Sequence, residues 1–102
     1  MKAKLGIAPI AWSNDDLPEL GGETTLETCL TEAKLAGFSG VETGGKFPKK
    51  SEELGPILKK FQLHLASGWY CGTILDNDLE KEKDQALEQL TLFKDHNSPC
   101  LV

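Results

Sequence analysis

Short apolar runs that end abruptly in polar clusters recur three times along this chain, roughly thirty residues apart, which is the length of one strand–helix unit. The first, Leu5 to Ile10, runs into Ala11-Trp12-Ser13-Asn14-Asp15-Asp16. The second is Gly40-Val41-Glu42 followed by Thr43-Gly44-Gly45-Lys46-Phe47-Pro48. The third is Leu63-His64-Leu65-Ala66 followed by Ser67-Gly68-Trp69-Tyr70. A buried strand needs apolar side chains, whereas the loop after it is free to carry chemistry. Function is therefore expected at strand ends.

Helical spacing fills the intervals. Leu26, Cys29, Leu30 and Ala33 follow the i, i+3, i+4, i+7 rule of one buried stripe. Thr24-Thr25-Leu26-Glu27 predicts a capping box with Thr24 as the cap, and Gly37 supplies a left-handed stop. Phe38 to Thr43 is the expected second strand. A second helix is expected from about Ser51 to Lys60 on Leu54, Ile57, Leu58 and Phe61, although Gly55-Pro56 could move its start to Pro56. After a strand from Leu63 to Ala66, Asp78 caps a helix from Leu79 to Asp95. Its expected stripe is Leu79, Lys83, Ala86, Leu87, Leu90 and Phe93. Cys100-Leu101-Val102 would begin a further strand. The order β-α-β-α-β-α-β with short connections predicts parallel strands and right-handed crossovers. Two architectures fit: a compact four-stranded domain, or the first half of a (β/α)8 barrel, which needs about 250 residues in full.

Bulk properties exclude several partners. A net charge of -5 and no arginine argue against nucleic acid, because phosphate binding needs clustered cations. No apolar run approaches the ~20 residues of a membrane span. Cys29, Cys71 and Cys100 are odd in number and widely spaced, so reduced thiols in a cytoplasmic protein are expected. Neither a dinucleotide fingerprint nor a P-loop is present, and no His or Cys spacing offers a metal cage.

What remains is a polyol-like site. Glu42 lies at the C-terminal mouth of a strand, with Lys46 close enough in sequence to return to it. A Glu42–Lys46 surface ion pair is the alternative, and it would contribute little. Trp12 and Trp69 follow strands, where an indole face can stack on the C–H face of a sugar, or can simply pack. Among Asn14, Asp15 and Asp16, turn formation is the default and Asn14 is favoured as ligand-facing. His64, opposite in direction to Leu63 and Leu65, is expected as a hydrogen-bonded interior histidine, and His96 suits a helix C-terminus.

The stretch from Gly6 to Gly21, Ala36-Gly37-Phe38-x-Gly40-Val41-Glu42, Gly45-Lys46-Phe47-Pro48 and Ser67-Gly68-Trp69-Tyr70 together resemble the bacterial myo-inosose-2 dehydratases. The resemblance covers nearly the whole chain. Thr43 replaces a more usual aliphatic residue, and Cys71 stands where Ser is common. It implies a xylose-isomerase-like TIM barrel, with residues 1–102 as the N-terminal half, cut within strand four. It further implies removal of water from 2-keto-myo-inositol in inositol catabolism, assisted by cobalt or manganese and by glutathione. The metal ligands would come from strands of the second half, so none is assigned in this chain. Trp12, Asn14, Glu42, Lys46 and Trp69 are then expected to bind substrate. Open sheet edges would favour self-association, and the chain alone would be inactive. A sugar isomerase or epimerase on the same barrel, or a polyol-binding remnant, is the alternative.

Overall fold

The computed structural model describes residues 3–102. Three strands, β1 (Gly6–Ile7), β2 (Gly40–Glu42) and β3 (His64–Ser67), form a parallel sheet in the order β1-β2-β3. The helices α1 (Leu26–Leu35), α2 (Ser51–Phe61) and α3 (Leu79–Asp95) alternate with them. β1 is shorter than the apolar run that encodes it. Pro9, which has no N–H for a ladder, opens a 3-10 turn over Pro9–Ala11 instead. β2 is likewise confined to Gly40–Glu42, and β3 starts and ends one residue later than expected. Cys100–Val102 is not a regular strand. Val102 nonetheless exchanges two backbone hydrogen bonds with the edge of the sheet, its N–H donating to the Gly68 carbonyl and its own carbonyl accepting from Tyr70.

Register explains where the core sits. Ile7, Val41 and Leu65 stand side by side across the three strands. They join Leu30 and Ala33 of α1, Leu54 and Leu58 of α2, and Leu92 and Phe93 of α3 in one cluster. All three helices therefore pack on the same face of the sheet. A doubly wound fold reverses its strand order and covers both faces. An unreversed 1-2-3 order with helices on one face is the arrangement of consecutive units in a (β/α)8 barrel.

Local details correct several expectations. Thr25, not Thr24, caps α1: its Oγ1 accepts from the Thr28 N–H at 3.1 Å. Glu27 does not reach back and instead accepts from Lys60 at 3.2 Å. The buried stripe of α1 is as expected, with Cys29, Leu30 and Ala33 inside and Gly37 at φ +92° beyond the end. α2 starts at Ser51 and carries Pro56 within it. Gly55 removes the side chain that would clash with the proline ring, so the helix passes through. α3 has the expected bounds, and Asp78 caps it by accepting from Lys81 N–H at 2.8 Å. Its buried face differs in part: Phe93 is inside as expected, together with Glu82 and Leu92, whereas Leu79, Leu87 and Leu90 are exposed. His64 also departs from expectation, because it is exposed rather than interior. His96 is the C-cap of α3. No helix among the described residues is long and apolar enough to cross a membrane.

Candidate functional site

The three strands deliver their C-terminal loops to one rim, and the sequence makes that rim close-fitting. The ladder between β2 and β3 shifts by one residue after Val41, so Glu42 faces Ser67 rather than Ala66. Such bulges re-aim side chains at functional edges. Here the shift brings the Ser67 hydroxyl to Glu42 Oε1 as donor, at 3.0 Å. No hydrogen bond among the described residues reaches Glu42 Oε2, which leaves one acceptor oxygen at the strand mouth. Just beyond, the Thr43 N–H donates to the Ser67 carbonyl at 3.0 Å. Gly68 lies so close to Thr43 and Phe93 that a Cβ there would collide with both. The chain then emerges at Trp69, which is 64% exposed.

The other expected site residues are held by the rim itself. Lys46 does not pair with Glu42. Its ammonium donates to the carbonyls of Gly21 at 2.9 Å, Gly22 at 3.3 Å, and Thr24. It thus ties the β2–α2 loop to the residues leading into α1. Asn14 Oδ1 accepts from the N–H groups of Asp16 at 2.9 Å and Leu17 at 3.2 Å, closing an Asx turn. Asp15 accepts from the Gly45 N–H at 2.7 Å, a second tie between the first two loops. Trp12 is half-buried against the core and donates its indole N–H to Glu32 of α1 at 2.6 Å. The structure therefore brings Glu42 to Ser67, two residues before Trp69 in the chain. No hydrogen bond among the described residues links Trp12, Asn14 or Lys46 to them.

Sequence reasoning missed two residues here. Ser67 was visible only as the residue after an apolar run, and nothing in the sequence announces the register shift that pairs it. Glu82 falls outside the expected stripe of α3, yet it is only 9% exposed beneath the β3–α3 loop. A hollow lined by Gly55, Leu58, Gln62, His64 and His96 lies at the other end of the sheet, between the end of α2 and the C-cap of α3. It offers no carboxylate and lies away from the strand-end rim.

Chemically, the rim can accept hydroxyl hydrogens at a carboxylate fixed by a serine, and can stack a C–H face on an exposed indole. Among the described residues no three His, Cys, Asp or Glu side chains gather closely enough to hold a metal ion. A divalent ion does not fit this set of residues. The three thiols are free, and burial pushes that of Cys29 above its ordinary value, against the opposing charge of Lys46. It is a packing thiol.

No protein-family model matches the chain. Individual relatives do. The rhizopine catabolism protein MocC of Rhizobium meliloti is 47% identical over 95 residues, covering 93% of this chain and 29% of MocC. An inosose dehydratase of Bacillus thuringiensis is 40% identical over 99 residues, 97% of this chain and 33% of that protein. Another, from Geobacillus thermodenitrificans, is 48% identical over 80 residues, 78% of this chain and 27% of its own length. The chain spans about a third of the length of these curated relatives. Along nearly all of its length, with α/β units following one another in barrel order, this chain is a relative of the inosose dehydratases and MocC.

Proposed function

We propose that the chain supplies part of the substrate wall of a dehydratase acting on a cyclic polyol ketone, 2-keto-myo-inositol, in inositol catabolism. The identity to inosose dehydratases carries this reading, and the Glu42–Ser67 pair beside the exposed Trp69 loop gives it a physical basis. In such a reaction the keto group acidifies the neighbouring C–H, a base removes that proton, and hydroxide leaves from the next carbon. Glu42 binds substrate hydroxyls, Ser67 holds the Glu42 carboxylate in place, and the Trp69 indole covers a ring face. Trp12, Asn14 and Lys46 shape the same wall through the first two loops. Cobalt or manganese and glutathione belong to the proposal for a longer, cytoplasmic protein, whose remaining part would provide the metal ligands.

Two measurements on the 102-residue chain test this. Calorimetry with scyllo-inosose and with myo-inositol, each with and without manganese, should show weak polyol binding that is insensitive to the metal. Glu42→Gln should weaken that binding further. A dehydratase assay should show no turnover, and robust turnover would overthrow the view that the chain lacks the catalytic half. A second reading, action in rhizopine catabolism, follows from the identity to MocC. Tighter binding of a rhizopine than of inosose would favour it. The outer edge of β1, which pairs with no further strand among the described residues, also supports self-association, which sedimentation across a concentration series would detect.

A further inference from the structure

Glu82 is the one charged side chain that the described residues bury, and it lies in the first turn of α3. No cation pairs with it: the ion pairs among the described residues are Lys60–Glu27 and Lys83–Glu80. Its charge is met instead by donors from a single loop. Oε1 accepts from the Tyr70 hydroxyl at 2.5 Å, and both oxygens accept from the Thr73 N–H at 3.1 Å. Oε2 also accepts from the Thr73 hydroxyl at 3.3 Å. Asn77 extends the network by donating to Thr73 Oγ1 at 2.5 Å and to Gln85 Oε1 at 3.2 Å. The N-terminal half of the α3 dipole favours the anion as well.

An apolar residue would cover this helix face more readily, since a buried carboxylate must have its hydrogen bonds met in full. Every donor that meets them lies between Tyr70 and Thr73, directly after Trp69. The same stretch is fixed from two other sides. Gln89 donates to the Trp69 carbonyl at 3.4 Å, and Tyr70 donates its N–H to Val102 at 2.8 Å. Trp69 itself makes no side-chain hydrogen bond among the described residues, so its placement depends on its neighbours. We infer that Glu82 is a positioning residue for the strand-end rim: through Tyr70 and Thr73 it fixes the β3–α3 loop and holds the Trp69 indole where a polyol ring would stack. This rests on the substrate wall proposed above, but the latch itself can be measured without a ligand.

The experiment compares the parent chain with Glu82→Leu and Tyr70→Phe. The chain has two tryptophans and one tyrosine, so each probe reports on few groups. The indole ¹⁵N–¹H relaxation of Trp69, assigned by its loss in Trp69→Phe, reads loop rigidity, with Trp12 as an internal control. Absorbance titration of Tyr70 reads the hydrogen bond directly, and calorimetry with myo-inositol reads the consequence. Both variants should retain their far-UV circular dichroism melting curve and their Trp12 relaxation. Trp69 should gain fast motion, and myo-inositol binding should weaken by about tenfold in Glu82→Leu, the effect of one or two lost hydrogen bonds. Trp69 relaxation unchanged in both variants overturns the inference, as does equal loosening of Trp12 and Trp69, which would mark general loss of structure. Should Glu82→Leu fail to fold, Tyr70→Phe alone decides by Trp69 relaxation and calorimetry. If the parent binds no myo-inositol, the substrate-wall reading fails, while Trp69 relaxation still decides on the latch.

Discussion

The two faces of the sheet are built on opposite terms. On one, Ile7, Val41 and Leu65 lie against nine buried or half-buried side chains from three helices. On the other, the same register lines up Gly6, Gly40 and His64, with Ala66 beyond. An ideal Cβ at Gly6 would stand 3.2 Å from the Ala66 Cβ, so that face is tight between strands yet has no helix over it. Parallel sheets are ordinarily covered on both faces. The difference shows that these units expect two kinds of neighbour: helices outside, and something other than a helix inside. A barrel interior, filled by side chains from strands across the axis, is such a neighbour.

The largest effect should come from breaking the helix-facing side. Leu54→Ala removes a fully buried side chain at the centre of that cluster and should cost roughly 2–5 kcal/mol, read by urea unfolding. A two-state transition with a midpoint close to the parent's would contradict this account of the core. Next comes the rim that joins the faces. Lys46→Met keeps the aliphatic stem but leaves three carbonyls without their shared donor, and should cost about 1–3 kcal/mol. Hydrogen exchange should speed up in residues 21–25 rather than across the whole chain. Uniform exchange would mean that Lys46 supports the core and not the loop.

A smaller effect, confined to the β3–α3 loop, follows from pH. The hydrogen bond to Glu82 pushes the Tyr70 hydroxyl up to about 12, from an ordinary value near 10. The same bond holds the Glu82 carboxyl below its ordinary range. A raised acid stabilises the folded loop below its unfolded value and loses that contribution as pH climbs through the folded one. Tyr70 should therefore release the loop between about pH 10 and 12. Glu82, with a lowered value, contributes above its unfolded range and loses this as pH falls through the folded one. Tyrosine absorbance followed to high pH should give one transition near 12 in the parent and one near 10 in Glu82→Leu. The smallest effect belongs to the uncovered face: His64→Ala should shift stability by no more than about 0.5 kcal/mol, since the side chain is exposed. A large loss would show that the face is already covered, for example by a second copy.

Much of this was legible in advance because its causes are local. The stripe of α1, the Asp78 cap and the bounds of α3 follow from spacing and from a side chain that can bond its own backbone. The Thr24 cap failed by one residue because two adjacent threonines are equivalent in sequence. The Thr24 carbonyl is taken by Lys46, far along the chain, and Thr25 makes the cap. The α3 stripe failed for a related reason. Periodicity gives a helix an apolar face but not its rotation, and here Glu82 and Phe93, engaged by the loop and by Gly68, set the phase. That leaves Leu79, Leu87 and Leu90 outside.

By itself, then, the sequence determined a run of alternating strands and helices in parallel order, and placed polar clusters with Glu42 and Trp69 after the strands. Long-range packing alone brings Ser67 to Glu42 and ties Lys46 into the rim. Pairing across strands turns on a one-residue register shift, which moves Ser67 onto Glu42 and leaves no trace in composition or period. The ammonium of Lys46 and the carboxylate of Glu82 found their partners through long-range packing. A charge that leaves water takes whichever donors or acceptors the folded chain brings within reach.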